Sequence, residues 1–153
     1  MNVTSSLIEA HIFRKAGNNL EFLLLRRSDN EIYPGLWQMV SGSIDGNEKA
    51  FQTALREIKE ETGLTPEKFW TVPNVNSFYS STQNEICMIP VFAALVTDEV
   101  EVVISNEHSE FKWAGLSETL KLLAWPGQRR SVEIIYEYFT NQINFLNFVE
   151  ISL

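Results

Sequence analysis

A chain of 153 residues with 44% hydrophobic and 12% aromatic content has the length of about one domain and enough apolar material to bury a core. A formal net charge of −8 argues against a partner held through its phosphates, so no nucleic acid is expected, and an anionic small molecule has to be met locally by a metal ion or a few arginines. One cysteine, Cys87, excludes a disulfide framework, and no run is long and apolar enough for a membrane span, so the expectation is a single soluble domain, 1–153, in the cytoplasm.

In chain order, residues 5–13 and 20–25 read as strands joined by the turn formers of Lys15-Ala16-Gly17-Asn18-Asn19, which predicts a hairpin. Arg26 and Arg27 end the second strand, where guanidinium groups either grip phosphate oxygens or stand as surface charges. Tyr33-Pro34-Gly35 is a turn, and residues 36–40 form a short apolar strand that delivers the chain to Ser41 and Gly42. Trp37 within it is either a core residue or a platform for a base.

Residues 42–64, GSIDGNEKAFQTALREIKEETGL, carry the chemistry as a loop running into a helix. Asn47 is the expected N-cap, Glu48 falls in the first turn and Gly63 stops the helix, while Ala50, Phe51, Ala54, Leu55 and Ile58 form an apolar stripe. Glu57, Glu60 and Glu61 then share one face over a single turn. Each like-charge pair at these spacings costs roughly 0.2–0.5 kcal/mol in an isolated helix, and a divalent cation reverses that sign. An all-oxygen cluster suits Mg²⁺ or Mn²⁺; the alternative is a solvated acidic face. The loop lacks the lysine and hydroxyl of a Walker-type phosphate loop.

Beyond the helix, residues 69–72, 75–79 and 86–95 are strands, the last a buried central one in which Pro90 demands a bulge or an edge. Phe78, Tyr79, Met88 and Phe92 either line a base pocket or belong to the core. Residues 99–104 read as another strand, followed by Ser105-Asn106-Glu107-His108 and the strand around Phe111-Lys112-Trp113. His11 reads as structural, and His108 as either a hydrogen-bonder or a participant. Residues 116–124 form a helix capped by Ser117 and broken at Trp125-Pro126-Gly127. Residues 130–139 form a second helix, covering the sheet on the side opposite the first. The apolar tail, 141–153, is open between a strand, a packed extension and a homodimer contact. This element order predicts an α/β protein, an α/β/α sandwich around a mixed β-sheet.

Gly42, Glu48 and then Arg56-Glu57-Ile58-x-Glu60-Glu61-x-Gly63-Leu64 resemble a complete Nudix box, the signature of the Nudix hydrolases. Together with the Leu-Trp-Gln, Glu-His-x-x-Phe-Lys-Trp and Trp-Pro-Gly-Gln-Arg segments, the chain is similar, over roughly residues 7 to 140, to the dihydroneopterin-triphosphate or dATP pyrophosphohydrolase branch. The resemblance implies the Nudix sandwich and a ligand set of the Ser41 carbonyl, Glu57, Glu60, Glu61 and Glu107 for Mg²⁺ or Mn²⁺. It makes Arg26 the substrate-facing arginine, Glu60 or Glu107 the acceptor of the water's proton with Glu110 as fallback, and Trp37 a candidate stacking surface. Glu48, Arg56, Gly42 and Gly63 would brace the box. The implied reaction is hydrolysis of a nucleoside or pterin triphosphate to monophosphate and pyrophosphate. Alternatives are hydrolysis of dinucleoside polyphosphates or ADP-ribose, and a non-catalytic nucleotide-binding module.

Overall fold

The computed structural model describes residues 1–141, 146–147 and 149–153. Its elements are β1 (Asn2–Thr4), β2 (Leu7–Ala16), β3 (Asn19–Arg27), β4 (Trp37–Gln38), β5 (Val40–Ser43), α1 (Ala50–Thr62), β6 (Lys68–Ser80), β7 (Glu85–Leu95), β8 (His108–Ala114), α2 (Leu116–Leu122), α3 (Pro126–Asn141) and β9 (Glu150–Ile151). Among the described residues the strands make one mixed sheet: β2 and β1 run parallel to β7, and the other pairings are antiparallel. Among the described residues no helix is long and apolar enough to cross a membrane.

Strand β2 organises the site because it serves two antiparallel partners and a parallel one. Its first half, Leu7 to Ala10, pairs with β5, and its second half, Phe13 to Ala16, pairs with β3 across the expected hairpin. Residues 37–43 cross from β3 to β2 with a break at buried Met39, and this crossing sets Ser41 and Gly42 beside Glu9 and Ile8.

Alternation along β2 builds two cores. Ile8, Ala10 and Ile12 meet Ala54 and Ile58 of α1. Phe13 lies on the other face, where Phe22, Leu24, Trp70 and Val91 meet Val132 and Ile135 of α3. The helices therefore flank the sheet as expected, and rings of Phe13 and Trp70 sit 4.5 and 4.6 Å from that of Phe139, close enough for favourable tilted packing.

Several expected boundaries shift, each for a local reason. Residues 69–72 and 75–79 are one strand, β6, whose register slips between Thr71 and Val75, where Pro73 cannot donate. Pro90 is tolerated because it pairs with Val75 at the end of that slip, while on its other edge β1 ends at Cys87 and β2 begins at Val91. Residues 99–104 are not a strand; their backbone binds the C-terminal carbonyls of α1 instead, Val103 N–H donating to Thr62 O and Ser105 N–H to Glu61 O. Helix α2 is capped by Gly115, not Ser117. The helices are interrupted at residues 123–125 as expected, but α3 already begins at Pro126, four residues before the expected start, where the missing N–H of proline costs nothing. In the tail, Glu150 and Ile151 pair with β6, while residues 142–145 and 148 lie outside the described residues.

His11 is buried in the sheet, its Nε2 without a partner among the described residues, and desolvation lowers its pKa to about 3. The fold holds it neutral, whereas the unfolded chain takes up a proton near pH 6.5, so its contribution to stability is present above pH 6.5 and lost as pH falls toward 3. His11→Gln should remove an acid-side slope of up to about 1.4 kcal/mol per pH unit. Urea unfolding at several pH values between 3 and 7 checks this; a wild-type minus variant difference that does not vary with pH would refute it.

Candidate active site

The box loop is tied down before the helix begins. Ile44 N–H donates to Ser6 O, and Glu48 accepts from the N–H of Asp45. Helix α1 starts two residues later than expected, with Lys49 at the N-cap position and its N–H donating to Gln52 Oε1 at 2.9 Å. Asn47 is not the cap, and Glu48 is not in the first turn; it has a stronger partner in Arg56. Two guanidinium nitrogens reach the Glu48 carboxylate at 3.0 and 2.9 Å, and the same group donates to Glu57 at 2.8 Å, to Glu60 at 3.3 Å and to the Ser43 carbonyl at 3.2 Å. This planar fork fastens the loop to the helix. It also holds the Glu48 carboxyl below its ordinary range and pushes the Arg56 pKa up, Glu48 being the first cause. At the far end Gly63, at φ +73°, caps α1 by donating to Lys59 O, a left-handed turn that a side chain would strain.

The three helix carboxylates do not share one environment. Residues turn by about 100° each, so Glu61 falls at the end of the stripe formed by Ala54 and Ile58, Glu57 at its border and Glu60 well outside it. Glu61 is accordingly only 3% exposed, while the Glu60 side chain is 59% exposed and tethered by Arg56. Glu57 leans over Gly42, where a β-carbon would lie 2.4 Å from its carboxyl carbon; glycine makes that approach possible.

Glu107 reaches the same spot from the loop before β8. Hydrogen bonds from Val103 and Ser105 to the end of α1 bring the loop down, and Ser28 N–H holds the Glu107 carbonyl. Ligand atoms of Glu61, Glu107 and His108 lie within 4.8 Å of one another. Burial, then the Glu57 and Glu107 carboxylates, push the Glu61 pKa up to about 9 against the pull of the Ser41 N–H. Burial also raises Glu57, despite Arg56. Glu61 Oε2 is buried with no partner among the described residues. Ser41 supplies one more oxygen. With Ile44 and Ser6 hydrogen-bonded, alternation makes Ser41 and Glu9 a non-hydrogen-bonded pair, so the N–H and C=O of Ser41 both turn away from β2 toward the carboxylates. Converging carboxylates, an orphaned oxygen and a carbonyl fit a hard divalent cation.

His108 is fixed from behind. Arg27 Nη1 donates to Gln38 Oε1 at 3.3 Å, which turns the Gln38 amide nitrogen toward His108 Nε2 at 3.1 Å and leaves the ring proton on Nδ1. Burial first, and Arg27 second, lower the His108 pKa. Arg27 is otherwise spent on its own loop, at the Ile32 carbonyl and Glu31. Arg26 is freer, with a 3.4 Å bond to Gly35 O and a 3.6 Å ion pair to Glu110. Trp37 packs against the α3-side core with Lys112 Nζ 5.1 Å from its ring centre. Of the expected pocket aromatics, Phe92 stacks on Phe69 in the core, whereas Phe78 and Tyr79 are exposed. Gln38 and Glu9 were not singled out by sequence. Glu9 and His11 did leave a signal: two ionisable residues at i and i+2 in an apolar strand share one face of a sheet.

A NUDIX domain family model matches residues 9–134. The chain is 28% identical over 130 residues to the asymmetrical bis(5'-nucleosyl)-tetraphosphatase of Mus musculus, covering 83% of this chain and 86% of the mouse protein. It is 28% identical over 104 residues to the nucleoside triphosphatase NudI of Escherichia fergusonii, covering 63% of this chain and 74% of that protein. The solved dihydroneopterin triphosphate pyrophosphohydrolase of E. coli has the same fold, with a TM-score of 0.71 at 23% identity over 88% of this chain and 94% of its own. The box geometry and the reach of the family match lead to one conclusion: the chain belongs to the NUDIX family of nucleotide phosphoanhydride hydrolases.

Proposed function

We propose that this chain is a single NUDIX domain that hydrolyses a nucleoside or pterin triphosphate to the monophosphate and pyrophosphate with Mg²⁺ or Mn²⁺. The gathering of half-buried Glu57 and exposed Glu107 around the buried Glu61 carboxyl carries the reading, because a cation would offset the like-charge repulsion among them. Glu57, Glu61, Glu107 and the Ser41 carbonyl would hold the metal, with Glu60 at the solvent side. When bound, it neutralises diphosphate oxygens and makes water more acidic.

The chain's own groups do the rest. Arg26, at the end of β3, would take a phosphate oxygen. Glu107, near Glu61 and His108, would accept the proton of the attacking water in preference to Glu60, whose carboxylate is tethered by Arg56. Arg56, Glu48 and Gly42 keep the carboxylates in position without touching substrate. The match to the mouse protein supports a second reading, asymmetrical cleavage of a dinucleoside tetraphosphate by the same carboxylates.

Product analysis with Mg²⁺ separates the two. Pyrophosphate plus monophosphate from a triphosphate is the expected result; turnover confined to diadenosine tetraphosphate or ADP-ribose would replace the substrate class, and no turnover of any of them would sink the hydrolase reading. Glu61→Gln should lower turnover at least about 100-fold and, by removing a carboxylate from a crowded buried site, raise the melting temperature in EDTA by about 2–4 °C. Lower stability in EDTA would mean that Glu61 is a structural residue. Gly42→Ala should displace the Glu57 carboxylate and cost about 10–100-fold in rate; wild-type kinetics would show that Glu57 needs no such seat.

A further inference from the structure

The sheet face under α3 holds a buried polar cluster that the metal chemistry leaves unused. Glu9 projects from β2 at 4% exposure. Its Oε1 accepts from Asn76 Nδ2 at 3.1 Å and Gln128 Nε2 at 3.4 Å, and its Oε2 has only the longer Asn76 contact, at 3.4 Å. The first turn of α3 is seated on that amide, since a β-carbon on Gly127 would fall 1.8 Å from Asn76 Oδ1. Gln128 is 8% exposed, and its Oε1 is buried with no partner among the described residues.

The cluster is short of donors. A carboxylate offers about four acceptor sites, two amide groups serve this one, and the neighbouring amide oxygen has nothing. Burial raises the Glu9 pKa and the two amides oppose it; further N–H donors would act in their direction. Exposed aromatic side chains stand on the neighbouring elements. Phe78, two positions from Asn76 on the same strand face, is 48% exposed, and Trp125, just before the seated turn of α3, is 47% exposed. Glu9 is also directly opposite Ser41, so this face and the carboxylate site meet across one strand pair.

We propose that Glu9, with Gln128 beside it, reads the heterocycle of the substrate and selects a 2-amino-4-oxo ring, the edge shared by guanine and pterin. The inference rests on the triphosphate reading above. Such a ring presents a ring N–H and an exocyclic NH₂ side by side, two donors for two under-served acceptors. Adenine and cytosine place a ring lone pair next to their amino group, which would face the carboxylate, and uracil and thymine offer one N–H between two carbonyls. A site built to hydrogen-bond a donor pair rejects ligands that lack it by large factors, because its buried acceptors are left unpaired.

The test measures kcat/KM of the wild-type protein for GTP, dGTP, dihydroneopterin triphosphate, ATP, CTP and UTP, and repeats it with Glu9→Gln. The expected wild-type preference for the first three over the rest is at least about 100-fold, and Glu9→Gln, which offers an N–H where an acceptor is needed, should shrink it by at least about 30-fold. Comparison of the guanine and pterin substrates then tells which ring is preferred. Equal use of all triphosphates by the wild-type protein overturns this inference and leaves the triphosphate reading standing; hydrolysis of none of them overturns the reading itself. If Glu9→Gln lowers every substrate alike, Glu9 is only a tie between β2, β6 and α3. Should that variant fail to fold, Gln128→Leu takes its place: a smaller guanine and pterin preference is the expected result, and an unchanged preference would overturn the inference.

Discussion

Everything at this site depends on a repulsion that the fold maintains. Glu61 is buried at the end of α1 with half-buried Glu57 and exposed Glu107 beside it, and its own burial first, then those two carboxylates, raise its pKa to about 9. Left alone, such carboxyls would separate or hold protons. Separation is prevented by two clamps. Arg56 fastens Glu57 to Glu48 and the Ser43 carbonyl, and the end of α1 takes hydrogen bonds from Val103 and Ser105. On the proposed reading this geometry would be a preorganised cation site, its cost carried by the packing of the α1 stripe against the sheet.

The sheet explains why two kinds of chemistry can adjoin. At β5 the side chains alternate between the two faces while the backbone of Ser41 points outward along the sheet edge. Gly42 is thereby set against Glu57 on the α1 face, and Glu9, opposite Ser41, enters the α3 face. On the proposed reading, a phosphate chain at the edge and a ring beneath α3 would be only a strand's width apart. The 37–43 crossing from β3 to β2 makes this possible by exposing that edge.

Much of this was legible in the sequence. The register of Gly42, Glu48, Arg56, Glu57, Glu60 and Glu61 named the box, and the stripe of Ala54 and Ile58 oriented its helix. Side-chain burial within the box was less legible: taking the glutamates as one face overlooked that Glu61 continues the apolar stripe while Glu60 leaves it. The cap was misplaced because Asn47 has good propensity, yet the pairing of Glu48 with Arg56 holds those residues outside the helix. Residues 99–104 alternate like a strand, but a strand needs a partner edge, and theirs was the end of α1. Glu9 could have been noticed as an acid in an apolar strand; that Asn76 and Gln128 would meet it depends on contacts 67 and 119 residues apart, beyond any local pattern.

The central claim is that the gathered carboxylates exist to bind a divalent cation. Equilibrium titration of Mn²⁺ into the wild-type protein and into Glu61→Gln, followed calorimetrically or by loss of the free-ion electron paramagnetic resonance signal, tests it without any assumption about substrate. Saturable binding by the wild-type protein, weakened at least about 10–100-fold by the substitution, is the expected result. Equal affinity of the two proteins, or no binding by either, would contradict it.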